Sequence, residues 1–229
     1  MGVSEYEASK VVDLEKINAL LKRQPDLVFS KGNYGFTALH YAASVGNKAL
    51  ADALIACRAD VNARGGDYQT PLHLAAGSFD EGVKDVAVLL LANGAAIDAK
   101  DTNGRTPLHE AAIRSRKEMV EFLLTNNADV TARTFSDGEG ATPLHFAKEK
   151  EIAELLIASK ADVNARNNGG NTPLHFAAIR DRKDVVGVLL ANNAKVNEAD
   201  SDGKTPLDYA VSRGHSDVAE LLRRNIPSS

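Results

Sequence analysis

The histidines of this 229-residue sequence are the side chains best suited to chemistry, because five of the six recur in one short motif. The motif reads TALH in its first copy and TPLH in the next four, and it places the rings at His40, His73, His109, His145 and His175. Several imidazoles suggest metal ligands, yet a metal needs its ligands within about 2.1 Å of one centre. Successive packed helices lie roughly 10 Å apart, so these rings cannot converge. We therefore expect no metal site.

Other patterns for catalysis are absent from the sequence or incomplete. No nucleophile motif of the G-x-S-x-G kind occurs, and the Gly169-Gly170 pair is not followed by the GK[ST] of a phosphate-binding loop. The lone cysteine, Cys57, stands next to Arg58 and could be a reactive thiol, but a bystander thiol is the favoured interpretation. We expect no enzyme and no cofactor.

The elements around the histidines repeat along the chain. The motif threonines Thr37, Thr70, Thr106, Thr142, Thr172 and Thr205 are separated by 33, 36, 36, 30 and 33 residues. Threonine is a good N-cap, and proline suits the first helical turn, so each motif predicts the start of a helix. A second helix follows, with apolar residues at i, i+3 and i+4, as in Met119, Phe122 and Leu123. One such unit cannot bury its own apolar face, so several must stack.

The motifs, their spacing and the following Asp-Val-Asn-Ala-like segments closely resemble the ankyrin repeat family. The resemblance implies an all-α solenoid of helix–turn–helix units with projecting β-hairpin loops, about seven units including caps. It also implies that each motif histidine bridges neighbouring repeats by hydrogen bonds. We expect residues 1–229 to form a single ankyrin repeat domain, with a capping repeat at 1–32, five repeats at 33–199 and a closing repeat at 200–229. The first cap is predicted to hold helices at Glu5–Val12 and Asp13–Arg23, with Leu20 facing inward.

Departures from the family pattern predict local differences. At the end of each second helix the family usually has a glycine in left-handed geometry; the matching positions here are Arg58, Gly94, Asn127, Lys160 and Asn193. The fourth repeat lacks about three residues between its helices, which predicts a short first helix and a notch. Tyr68 replaces a loop-tip glycine, so that loop is either reshaped or presents an exposed aromatic side chain.

The resemblance implies a non-catalytic protein–protein interaction module, acting as scaffold, adaptor or inhibitor, that binds a protein on its concave surface. Matching positions are aromatic in the first half and basic in the second half, and arginine and aromatic side chains are common interface anchors. We expect an acidic partner segment to lie across the basic residues and an apolar part to contact the aromatic ones. A solvated helix face neutralised by nearby Glu and Asp is the open alternative. The expected partner-binding residues are Tyr34, Phe36, Tyr68, Phe79, Arg105, Ile113, Arg114, Ile179, Arg180 and Arg213.

The resemblance also implies that loop asparagines can be hydroxylated by a host oxygenase, at Asn62, Asn164 and Asn197. Each of the three has a leucine eight residues earlier.

Composition restricts the remaining function classes. The net charge of −4 and the lack of an aromatic-basic groove argue against nucleic-acid binding through the arginines, the weaker alternative. The single thiol suggests a reducing, cytoplasmic location, and the absence of a long apolar run suggests that the chain has no membrane segment. We also expect a monomer without a small-molecule substrate. A nuclear location, or an effector that an intracellular bacterium delivers into host cytosol, is also compatible with the sequence.

Overall fold

The computed structural model describes residues 14–136 and 139–227 of the chain. This part contains twelve α-helices, four 3-10 helices and no β-strand. Its contacts define two compact units, one ending at Asp101 and the other beginning at Thr102. The assignment of residues 1–229 to one domain with two caps stays a prediction.

The first unit contains a single leading helix and two helix pairs. The helices are α1 (Leu14–Arg23), α2 (Ala38–Ser44), α3 (Lys48–Ala56), α4 (Pro71–Gly77) and α5 (Val83–Ala92), with 3-10 helices at Pro25–Phe29, Asn33–Gly35 and Gly66–Tyr68. The first helices of the pairs, α2 and α4, pack on each other, and so do the second helices, α3 and α5. The unit is therefore a two-layered stack, as the sequence predicts.

The second unit repeats the arrangement. Its helices are α6 (Pro107–Ile113), α7 (Lys117–Thr125), α8 (Lys150–Ala158), α9 (Pro173–Ile179), α10 (Lys183–Ala191), α11 (Pro206–Ser212) and α12 (Ser216–Arg224), and a 3-10 helix at Pro143–Phe146 precedes α8. One layer runs α6, 3-10 helix, α9, α11, and the other runs α7, α8, α10, α12. Both units confirm the all-helical repeat stack.

The motif leucines and the small residues after the histidines build the core. Leu39, Leu72, Leu108, Leu144 and Leu174 are at most 1% exposed. Alanine pairs such as Ala111-Ala112 are fully buried and let the first helices approach closely. The core thus lies between the two layers of each unit.

The ends of the second helices adopt the predicted left-handed geometry. The φ angles are 66° at Arg58, 84° at Gly94, 64° at Asn127, 71° at Lys160 and 65° at Asn193. A non-glycine residue in this region costs roughly 1–2 kcal/mol, unless it is Asn, whose side chain tolerates it. Arg58 and Lys160 therefore hold backbone strain.

The fourth repeat is shortened as the sequence predicts. Its first helix is the four-residue 3-10 helix Pro143–Phe146, whereas the first helix is a seven-residue α-helix in each other repeat that starts with the motif. The chain turns away at Ala147, whose φ and ψ are −56° and 125°.

The prediction for the leading helices is partly wrong. Leu20 is 47% exposed, whereas Leu21 is buried. Both leucines continue the apolar helical spacing from Ile17, at i+3 and i+4, and the buried residue is the one at i+4. The helix predicted at Glu5–Val12 lies outside the described residues. None of the described helices has the length and hydropathy needed to cross a bilayer.

Candidate partner-binding surface

The motif threonine and histidine form a capping box at the start of every first helix whose motif ends in His. In the third repeat the Thr106 N–H donates to Nδ1 of His109 (3.2 Å), and Thr106 Oγ1 lies 3.0 Å from the same nitrogen. Because Nδ1 accepts this bond, the neutral ring carries its proton on Nε2. The motif therefore fixes both the helix start and the ring orientation.

The opposite ring nitrogen reaches the next repeat. Nε2 of the ring lies 3.0–3.2 Å from a backbone carbonyl in four repeats, where His40 meets Gln69, His109 meets Ala141, His145 meets Asn171 and His175 meets Lys204. The predicted bridging role is confirmed for these four rings.

Burial favours the neutral form of three of the bridging histidines. It lowers the pKa of His145 to about 4, and it also lowers the pKa of His40 and His175. Within residues 14–136 and 139–227, no group of three His, Cys, Asp or Glu side chains is placed to hold a metal ion. The rings therefore act as structural links between repeats.

Tyr34 and Tyr68 occupy the tips of two successive loops in the first unit. Their φ angles are 61° and 60°, and their exposed fractions are 85% and 56%. The Arg64 guanidinium lies 5.3 Å from the centre of the Tyr68 ring. Both alternatives predicted for the Tyr68 loop therefore occur together. The loop is reshaped, since the backbone of Asp67 is left-handed as well as that of Tyr68, and the Tyr68 side chain is exposed.

The other two predicted aromatic residues of this unit differ from each other. Phe36 is half-buried and packs against His40, with ring centres 5.2 Å apart. Phe79 is 68% exposed and lies in the segment after α4, where Ser78 Oγ donates to the carbonyl of Ser44 (2.6 Å). Phe36 thus supports the loops, whereas Phe79 faces solvent.

Two of the predicted basic residues of the second unit share one acid. Glu110, only 5% exposed, has Oε1 3.0 Å from Arg105 Nη1 and Oε2 4.0 Å from Arg114 Nε. A buried carboxylate needs such pairing because its desolvation is costly. The neutralised-face alternative therefore applies to part of this surface.

Arg180 and Arg213 lie in a different electrostatic environment. Burial, followed by the like charges of Arg182 and Arg213, lowers the pKa of Arg180. The Arg180 guanidinium lies 4.7 Å from the centre of the Phe176 ring, a cation–π contact. Positive charge therefore accumulates at the end of α9, where Ile179 is half-buried.

Apolar side chains separate the basic residues. Phe146 and Phe176 are each 8% exposed and meet edge to face, with ring centres 6.0 Å apart, and Ile113 packs against them. Arg105, Ile113 and Arg180 therefore line one hollow, together with Phe146 and Lys148.

Sequence reasoning missed Glu110, Phe146, Lys148 and Phe176. Three of these four residues directly follow a motif histidine, a position that the repeats vary. That variation next to a constant motif was the available signal.

The three candidate hydroxylation sites are not equivalent. Asn62 Nδ2 donates to the carbonyl of Gly94 (3.0 Å), and its Oδ1 accepts from the Ala96 N–H (2.7 Å). Asn164 makes the same two kinds of bond to the next repeat. Among the described residues, no hydrogen bond is found for the exposed Asn197 side chain. Cys57 is exposed at the end of α3.

A family model described as ankyrin repeats (three copies) matches residues 46–134, 72–167 and 144–227. No curated protein matches the chain.

Proposed function

The chain belongs to the ankyrin repeat family, and from this we propose that it is a non-catalytic module that binds a protein partner. Ankyrin repeats are generally protein–protein interaction modules. The partner would contact the loop tips and the ends of the first helices. The molecule would act as scaffold, adaptor or inhibitor, and its lone thiol fits a reducing compartment.

The observation that carries this proposal is the placement of Tyr34 and Tyr68. A tyrosine in left-handed geometry is strained by roughly 1–2 kcal/mol, and at these exposures it recovers little by burial. Strained residues of this kind cluster at sites of function, and tyrosine is a frequent interface anchor. Binding would supply the burial that the isolated chain lacks.

Replacing both tyrosines by glycine tests the proposal, because glycine relieves the backbone strain while removing the rings. Tyr34→Gly/Tyr68→Gly should fold normally and lose most binding to a partner purified with the unmodified chain. Val88→Ser on α5, at a 49% exposed position, is the matched control and should bind normally. If the unmodified chain retains no partner, or if the double variant binds as well as it does, the proposal is wrong.

The predicted acidic character of the partner needs a separate experiment. Arg114→Glu and Arg180→Glu should weaken partner binding to different extents. Arg114 lies near the carboxylate of Glu110, which also pairs with Arg105, whereas Arg180 lies near the like charges of Arg182 and Arg213. We expect the Arg180 variant to weaken partner binding more. Equal binding by both variants and the unmodified chain would remove the acidic segment from the proposal.

We further propose that loop asparagines of this chain are oxygenase substrates, with Asn197 modified more readily than Asn62 or Asn164. The side chains of the latter two are held by the next repeat, so an enzyme must first break those bonds. Peptide mass spectrometry of protein from its native cell would show an added oxygen at Asn197 first. Modification confined to the two bonded residues would contradict this order.

A further inference from the structure

The second unit has a hollow with an apolar wall and a basic rim. It has a volume of about 160 Å³ and is lined by Arg105, Ile113, Phe146, Lys148 and Arg180. Phe146 and Ile113 belong to the apolar cluster completed by Ala141 and Phe176. The hollow is open to solvent and large enough for one apolar side chain.

The shortened fourth repeat accounts for the hollow. The 3-10 helix Pro143–Phe146 packs between α6 and α9 but ends one turn earlier than either. At the helix ends, α6 presents Ile113 and α9 is followed by Arg180, whereas the fourth repeat has already left the layer at Ala147. No helical turn fills the space between them.

The rim of the hollow is positively charged on balance. Glu110 is paired with Arg105, so that part of the rim is compensated. Lys148 is exposed, and Arg180 is held against Phe176 near Arg182 and Arg213. Among residues 14–136 and 139–227, neither Lys148 nor Arg180 forms an ion pair, although Glu149 and Asp181 line an adjoining hollow with Lys148. An incoming carboxylate would therefore find two cations without a direct partner, next to an apolar wall.

We propose that this hollow receives one bulky apolar side chain of an acidic partner segment, whose flanking carboxylates pair with Lys148 and Arg180. The side chain would complete the layer where the fourth repeat lacks a turn. This inference rests on the proposed function and names the chemistry of the partner. It needs both features at once, because the apolar wall alone or the charge alone would not select such a segment.

A short peptide provides the direct test. The probe is a fluorescein-labelled peptide of sequence GSEDFDEGS, and binding to the full chain is measured by fluorescence polarisation at about 0.15 M salt, where surface charges are screened. One matched peptide replaces Phe by Ser, and another replaces every acid by its amide. We expect each change to weaken binding at least about tenfold. Equal affinity of the Phe and Ser peptides, or no binding of the first peptide, would overturn the proposal.

Protein variants locate the peptide. Lys148→Glu and Arg180→Glu should each weaken binding several-fold, whereas Lys117→Glu, an exposed lysine on α7 that does not line the hollow, should not. Circular dichroism checks that the variants fold. Binding that survives both rim variants would place the peptide elsewhere and contradict the inference.

The two proposals can fail separately. If the peptide does not bind while Tyr34→Gly/Tyr68→Gly still abolishes partner binding, the proposed role of the hollow is wrong and the proposed interaction module is retained. If the peptide binds the hollow while the whole chain retains no protein, the proposed function fails instead.

Discussion

The ring of Phe36 occupies the space that a β-carbon on Gly65 would need. Such an atom would lie 2.2 Å from Phe36 Cδ1 and 3.2 Å from His40 Nε2. The φ angle of Gly65 is −89°, so the restriction comes from this contact and not from the backbone angle. An aromatic residue of one loop therefore requires a glycine in the next.

Gly65→Ala should lower the free energy of unfolding by about 1–3 kcal/mol, because the added methyl group forces the Phe36 ring aside. Combining it with Phe36→Ala should cost less than the sum of the two single changes. Urea unfolding measures all three variants. Strict additivity would show that the two residues are not coupled.

Stability should fall on mild acidification. Burial lowers the pKa of His145 to about 4, so between pH 6.5 and pH 4 the unfolded chain binds a proton at this residue that the folded chain does not. This residue alone should make the free energy of unfolding about 2 kcal/mol lower at pH 5 than at pH 7, since a shift of one pKa unit corresponds to about 1.4 kcal/mol. His40 and His175 change stability in the same direction.

His145→Gln removes that titration while keeping a polar side chain. Its unfolding free energy, from urea curves at pH 7 and pH 5, should therefore depend less on pH than that of the unmodified chain. A variant with the same pH dependence would assign the acid sensitivity to other groups.

Relieving strain at the ends of the second helices should stabilise the chain. Arg58→Gly and Lys160→Gly should each raise the free energy of unfolding by about 0.5–1 kcal/mol, the strain relieved less the entropy that glycine adds to the unfolded chain. Gly94→Ala is the reverse control, because a β-carbon there meets no atom within 4 Å and adds only backbone strain. In thermal denaturation, the Tm of Gly94→Ala should be lower than that of the unmodified chain, and the Tm of Arg58→Gly and of Lys160→Gly should be higher.

The last motif replaces histidine by Asp208, whose carboxylate accepts bonds from the Thr205 N–H (2.8 Å) and hydroxyl (2.7 Å). These bonds lower the pKa of Asp208, so the cap is present above the ordinary aspartate pKa and is lost as pH falls through its lowered value. Asp208→Ala should lower the free energy of unfolding by about 1 kcal/mol at pH 7, and Asp208→Asn should lower it by less. Equal stability of the Ala variant and the unmodified chain would show that the cap contributes nothing.

Local features were predictable from the sequence because short-range physics decides them. The helix start at each motif depends on the threonine N-cap and the residue that follows it, and the strain at Arg58 and Lys160 depends on where a helix must stop. The short first helix of the fourth repeat followed from the missing residues between Thr142 and Thr172. Each of these predictions concerns neighbours in the chain.

The candidate site was less predictable because side-chain directions and contacts between repeats decide it. That Glu110 pairs with both Arg105 and Arg114 depends on side-chain directions that spacing does not give. That Phe146 and Lys148 join both Arg105 and Arg180 depends on the stacking of three repeats. The burial of Leu21 instead of Leu20 is a similar case, since both satisfy the helical period.

The loss of a turn in the fourth repeat also has a structural consequence. Because the capping box and the histidine bridge lie at the start of each first helix, a three-residue deletion at the far end leaves both intact. A repeat of this kind can therefore be shortened by one turn without losing its links to the neighbouring repeats, while the other motif-started repeats keep a seven-residue first helix.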